Sequence, residues 1–236
     1  MDRVVIAQSI LDALRGTYLE IGVSTGSSFI PIRATRKWGV DPAYTLTRRR
    51  LLKYAVFSSL GIKVERLFRM TSDEFFTTKR TMLAAHGITV CLIDGLHTYK
   101  QSLTDVVNTL AYLKPNGVIL MHDCNPATEL MALPAAGIQE LIMQRIPEWD
   151  GAWSGDVWKA VVHMRSLRPD VNAFVLDCDT GIAVVTKGGP KTKLGYSEAD
   201  IQKMDFHFLA QHREELLDLR SEDYFLEFLD KHTLKR

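Results

Sequence analysis

At 236 residues the chain is long enough to bury one substantial core, and no linker or low-complexity segment divides it, so one domain with terminal additions is the simplest organisation. Its 29 basic and 28 acidic residues leave a formal charge of +1, which argues against nucleic acid and membrane surfaces as partners. No apolar run reaches the length that spans a bilayer, and no charged stretch followed by an apolar core opens the chain, which predicts a cytoplasmic address; Cys91, Cys124 and Cys178 fit no zinc spacing and read as reduced thiols.

The first expected element is a helix with Val4, Val5, Ile10, Leu11 and Leu14 on one side. A strand over residues 18–21 carries the acidic Glu20 near its end and passes into a turn with glycines four apart, Gly22 and Gly26. Gly22 allows a sharp backbone turn, and Ser24 and Thr25 can cap a helix opened by that turn. A second strand, 38–40, ends in Asp41 and Pro42. The helix expected over 47–60 alternates Arg48, Arg49, Arg50 and Lys53 with Leu51, Leu52 and Val56, the pattern of a solvated face. A third strand, 64–68, precedes Thr71, Ser72 and Asp73, which read as a helix cap before the apolar pair Phe75 and Phe76.

Residues 89–93 form a continuous apolar run closed by Asp94, as expected of a strand buried on both faces of a parallel sheet. Leu103, Val106, Val107, Leu110 and Leu113 then recur at helical spacing, a turn is expected at 114–117, and a strand over 118–121 ends in His122 and Asp123. Further on, a helix is expected over 157–165 and a hairpin of strands 173–176 and 182–185 around the turn 178–181. Past Pro190, Ile201, Met204, Phe208, Leu209, Leu216 and Leu217 predict helices. Alternating strands and helices imply a parallel sheet covered on both faces.

The glycine loop discriminates between cofactors. A dinucleotide site needs glycines two and then three apart, so that a pyrophosphate rests on a helix N-terminus. Here Val23 and Ser24 occupy those places, and Glu20 would repel a pyrophosphate while attracting a cation. Asp41 sits where an acceptor pair can bridge two ribose hydroxyls, although an Asp before Pro is also an ordinary turn former. The loop and Asp41 together resemble the first motifs of the class I S-adenosylmethionine-dependent methyltransferases. Asp94, Gly95, His97 and Tyr99, followed by His122 and Asp123, resemble the branch of small-molecule O-methyltransferases with an Asp-Gly-x-His-x-Tyr signature and a His-Asp pair.

The resemblance implies an α/β fold: a doubly wound, mostly parallel seven-stranded sheet of the Rossmann-like methyltransferase type, with an antiparallel edge strand. The expected division is a methyltransferase domain over residues 1–189 and, from the apolar spacing past Pro190, a helical C-terminal extension over 190–236, packed on or between the subunits of a homo-oligomer. The resemblance also implies S-adenosylmethionine as cofactor, with Glu20, Gly22 and Gly26 at its methionine part, Asp41 at the ribose, Ser72 at the adenine and Asp94 toward the transferred methyl group.

A hydroxyl acceptor is a poor nucleophile until a base takes its proton or a metal lowers its pKa. His97 is the expected catalytic base, with His122 second and Asp94 beside them. Asp94 and Asp123, at neighbouring strand ends, could instead share a divalent cation such as Mg2+. The related metal-dependent enzymes carry two acids after strand five, whereas here His122 precedes Asp123, so a third oxygen would have to come from Asn125 or elsewhere. The run Trp153 to Lys159 could form a wall for the acceptor, or its tryptophans could be core and Asp156 a cap for the helix that follows. The expected function is methyl transfer to a hydroxyl of a small metabolite, a sugar or another polyhydroxylated compound. The alternatives are N-methylation of a small amine, or cofactor binding without catalysis.

Overall fold

The computed structural model describes residues 1–46, 66–190 and 192–233. The expected helix with the arginine run lies outside the described residues. In chain order the described elements are α1 (Arg3–Leu14), β1 (Thr17–Ile21), β2 (Arg36–Val40), β3 (Arg66–Phe68), α2 (Ser72–Thr78), α3 (Arg80–His86), β4 (Ile88–Ile93), α4 (Tyr99–Tyr112) and β5 (Leu113–Met121). They continue with α5 (Ile138–Gln144), α6 (Trp158–Leu167), β6 (Val171–Leu176), β7 (Ile182–Lys187), α7 (Glu198–Lys203), α8 (Phe206–Leu217), β8 (Leu219–Arg220) and α9 (Tyr224–Thr233). The chain groups into two compact units.

The first unit comprises Met1–Gly95, Asp105–Leu120 and Leu226–Arg236. Its strands run in the order β3-β2-β1-β4-β5, with β1 parallel to both β2 and β4 and β2 parallel to β3. Every residue of β1 and of β4 is buried, which explains the apolar run of β4 and leaves Glu20 as a buried acid within β1. Helix α1 packs on β4; Asp2 caps it by accepting from Val5 N at 2.8 Å. Its buried face is Ile6, Ala7, Ile10 and Leu11. Val5, expected to be inside, is 48 % exposed.

Two local expectations fail here for backbone reasons. The helix expected to open at Ser24 and Thr25 does not form, and residues 22–35 hold only turns and irregular chain. Ser24 and Gly26 take left-handed φ values of 47° and 75°, and Pro31 bars continuation beyond Ile30, whose N–H makes a single helical bond to Gly26 O. The turn expected at 114–117 is instead the start of β5, with Lys114 and Pro115 on its exposed end, where the missing proline N–H breaks no buried ladder. The helix cap after β3 is Thr71, in a capping box with Glu74, which leaves Ser72 buried in the first turn.

The second unit comprises Leu96–Thr104 and Met121–Phe225. Its strands run β7-β6-β8. The β6 and β7 strands form the expected antiparallel hairpin, from Val171 opposite Lys187 to Leu176 opposite Ile182. Asp179, Thr180 and Gly181 turn the chain at φ 45°, 58° and 88°, closed by Gly181 N to Cys178 O at 2.8 Å. An eighth strand, β8, adds to the seven expected and runs parallel to β6; two residues carry no readable alternation. Helix α6 packs on β6, α7 and α8. The helices expected past Pro190 are present, with Ile201, Leu209, Leu216 and Leu217 buried. All three cysteines are free.

Candidate active site

In the first unit Glu20, Gly22, Asp41 and Asp94 gather around the end of β1, while Ser72 lies buried in the first turn of α2. Gly22 has φ 91°, and a Cβ there would lie 1.9 Å from Asp94 O, so only glycine lets the β1 end pack on the start of the loop after β4. Asp94 N donates to Ile21 O at 2.8 Å, fixing the same junction. Asp41 accepts from Ser24 N at 2.7 Å through Oδ2 and from Ala43 N at 2.6 Å through Oδ1. Its carboxylate therefore shapes both loops, and each oxygen keeps a second lone pair.

Glu20 is buried, and Tyr18 donates to its Oε2 at 2.5 Å. Burial pushes its carboxyl up to about 8, with Asp94 raising it further and the Tyr18 hydroxyl, Lys37 and Arg3 opposing. Lys37, also buried, donates to the carbonyls of Phe29 and Ile32 at 2.7 and 2.8 Å; desolvation lowers its ammonium to about 8 against the pull of Glu20. Arg3 places Nε 3.7 Å from Asp94 Oδ2 and 3.2 Å from Ser28 Oγ. Tyr18, Lys37 and Arg3 are the residues sequence reading missed. The only local trace was a lysine opening the apolar run before Asp41. Without a helix after Gly22 there is no set of aligned N–H groups for a pyrophosphate. A glycine turn bordered by the Asp41 and Asp94 carboxylates suits a cationic ligand.

In the second unit His97, His122 and Asp123 converge. Asp123 takes a left-handed φ of 62° directly after β5 and is 6 % exposed. Its Oδ1 accepts from Ser154 Oγ at 3.0 Å and Thr180 Oγ1 at 2.9 Å, and its Oδ2 accepts from His122 Nδ1 at 2.9 Å. His122 Nε2 lies 3.0 Å from Thr180 Oγ1 and 3.4 Å from Asp179 Oδ1, so both ring nitrogens are committed. His97 is held differently. Its Nδ1 donates to Trp153 O at 2.8 Å, its ring leans on the Trp153 indole at 5.2 Å, and its Nε2 lies 3.5 Å from Asp123 Oδ2. That last distance exceeds an ordinary hydrogen bond. The contact becomes an ion pair only when the ring is protonated.

The segment after α5 supplies the support. A Cβ on Gly155, at φ 61°, would sit 1.9 Å from His97 O, and Ser154 N and Gly155 N both donate to Met131 O. Asp156, expected to cap the helix behind it, instead accepts from Tyr99 N at 2.6 Å, at the start of α4. Asn125 is held by both ends of its amide, which donates to Asp177 Oδ1 at 2.9 Å and accepts from Arg213. Ser154 and Thr180 went unread, because a serine in a loop and a threonine in a hairpin turn carry no local signal of a partner 31 or 57 residues away.

Residues 19–124, which span β1 to β5 and the His122–Asp123 pair, match a family described as a methyltransferase domain. Over that span the chain is similar to methyltransferase domains. Its Rossmann-like α/β fold recurs in the O-methyltransferase TomG from Streptomyces achromogenes, involved in tomaymycin synthesis and solved with S-adenosylmethionine. That structure is 14 % identical, with a TM-score of 0.51 over 79 % of each chain. A candidate O-methyltransferase from Klebsiella pneumoniae matches at 14 % identity and a TM-score of 0.52, again over 79 % of each chain. At these identities the likeness is one of fold. No curated protein matches the chain. Among the described residues, no helix is long and apolar enough to cross a membrane.

Proposed function

We propose that the chain transfers a methyl group from S-adenosylmethionine to a hydroxyl of a small metabolite, and that His97 takes the hydroxyl proton. The observation that carries the reading is the His97 ring itself, whose Nδ1 is tied to the Trp153 carbonyl so that Nε2 points at Asp123. When bound, S-adenosylmethionine supplies a methyl group activated by its sulfonium. The side chains align and deprotonate. Asp41 would accept from the ribose hydroxyls, Ser72 would border the adenine, and Glu20, Gly22, Gly26 and Asp94 would surround the methionine part. As the proton arrives on His97 Nε2, the imidazolium is stabilised by Asp123, whose own position is fixed by Ser154, Thr180 and His122. His122, with both nitrogens engaged, orients Asp123.

The test is release of S-adenosylhomocysteine from a panel of sugars and other polyhydroxylated metabolites, with and without a chelator. Turnover that survives the chelator and falls in His97→Ala supports the base. Turnover abolished by chelation and restored by Mg2+ would instead give hydroxyl activation to an ion held by Asp94 and Asp123. Turnover of amines alone would replace O- by N-methylation.

A further inference from the structure

The turn that leads from His97 into α4 is tied at three places to one short segment of the second unit. His97 Nδ1 donates to Trp153 O at 2.8 Å. A Cβ on Gly155 would meet His97 O at 1.9 Å, so the two backbones lie in contact. Tyr99 N donates to Asp156 Oδ1 at 2.6 Å. The segment is itself anchored, since Ser154 N and Gly155 N donate to Met131 O and Asp156 O accepts from Lys159 N at 3.1 Å as α6 begins.

The bond between Tyr99 and Asp156 goes beyond what α4 needs for a cap of its own. Thr98 already supplies one, its Oγ1 accepting from Gln101 N at 3.3 Å. Asp156 takes the first N–H of the helix instead, where the positive end of the helix dipole strengthens a bond to a carboxylate. The Tyr99 hydroxyl is tied as well, 2.7 Å from His163 Nδ1 on α6. That contact fixes the ring, whereas the Asp156 bond fixes the peptide that joins Thr98 to Tyr99, next to His97.

Resting on the reading that His97 takes the acceptor's proton, we infer that Asp156 is a positioning residue for His97. By holding Tyr99 N it fixes the 97–99 turn, so that Nδ1 stays on Trp153 O and the neutral ring keeps its lone pair on Nε2. A turn displaced by about an ångström loses the bond to Trp153 O. The ring is then open to the other tautomer, whose Nε2 carries a hydrogen and accepts none.

Nitrogen-15 NMR of the imidazoles in the full chain reads this tautomer, at a pH where the His97 ring is neutral and with its signals assigned by their absence in His97→Gln. Wild type should hold the hydrogen on Nδ1. Asp156→Ala should move it to Nε2 in a detectable share of molecules, with affinity for S-adenosylhomocysteine nearly unchanged. With the best acceptor from the sugar and polyol panel, kcat should fall about tenfold or more. Asp156→Asn keeps an acceptor oxygen in place and should restore the tautomer and most of kcat. Asp156→Glu moves the carboxylate by one methylene; it should behave as Asp156→Ala does, and it takes that variant's place should the latter not fold. Asp205→Ala removes a comparable cap, the bond from Phe208 N at 2.8 Å, and should lower stability without moving the His97 hydrogen. An unshifted tautomer in Asp156→Ala and Asp156→Glu, no recovery in Asp156→Asn, or an equal shift in Asp205→Ala would overturn the assignment. A shifted tautomer with undiminished kcat would leave Asp156 as the holder of His97 and refute His97 as the base.

Discussion

The Nδ1 of His97 lies 2.8 Å from the carbonyl oxygen of Trp153. A carbonyl only accepts, so Nδ1 carries a hydrogen whether the ring is neutral or charged, and the neutral ring has its lone pair on Nε2. Nothing else in this cluster combines a fixed tautomer with a nitrogen outside hydrogen-bond range of its carboxylate. Replacing His97 by Ala should lower kcat about a hundredfold or more. Calorimetry should show nearly unchanged affinity for S-adenosylhomocysteine. Unaltered kcat would remove His97 from the chemistry.

Gly155 offers a test of position without touching a functional group. Gly155→Ala places a methyl group against His97 O at a left-handed φ, whereas Gly151→Ala, at φ 92° with nothing within 4 Å, introduces only the backbone strain. The strain alone costs about 1–2 kcal/mol. Chemical denaturation should therefore show a larger loss for Gly155→Ala than for Gly151→Ala, and only the former should depress kcat. Equal effects would mean that the contact with the His97 backbone does not matter.

Glu20 and Lys37 make stability depend on pH in opposite senses. The Glu20 carboxyl sits at about 8 in the fold against an ordinary 4.5. Between those values the folded chain holds a proton that the unfolded chain has lost, so stability falls as pH rises, by at most about 1.4 kcal/mol per unit. Lys37 sits at about 8 against 10.5; between those values the unfolded chain holds the extra proton, and stability rises with pH. Urea unfolding from pH 5 to 10 should pass through a minimum near pH 8 from this pair. Glu20→Gln keeps an acceptor for the Tyr18 hydroxyl and should flatten the acid-side slope. An identical slope in the variant would assign it to other groups.

Asp41 has two assigned tasks that its substitution can separate. Asp41→Ala removes the acceptor for Ser24 N and Ala43 N as well as the proposed ribose contact. It should weaken S-adenosylhomocysteine binding by about 1–3 kcal/mol, and wild-type protein should not bind NAD. A variant that melts earlier but binds S-adenosylhomocysteine normally would leave Asp41 a loop former alone.

Much of the frame was legible along the chain because burial in a parallel sheet is a local demand on composition. Strands β1 and β4 are buried along their whole length, which favours apolar residues in both; in β4 the first acid, Asp94, follows the strand, whereas Glu20 lies inside β1 and needs the Tyr18 hydroxyl as its partner. The hairpin of β6 and β7 was readable from its turn, since few residues other than Gly, Asn and Asp accept positive φ. The two-residue β8 was not, and neither was the failure of a helix after Gly22, which depended on the φ of Ser24 as much as on Pro31.

The sequence by itself therefore determined the class of fold, the acidic and glycine-bearing loop after β1, and the candidacy of His97, His122 and Asp123. Tertiary structure decided what each of these touches. Asp156 caps a helix 57 residues earlier rather than its own, Glu20 shares its burial with Lys37, and Ser154 and Thr180 orient a carboxylate that no local pattern assigns to them. The physical reason lies in range. Hydrophobic periodicity averages over a whole face and tolerates shifts of a residue, whereas a hydrogen bond is made or lost within about half an ångström. Only the packing of distant segments sets distances that finely.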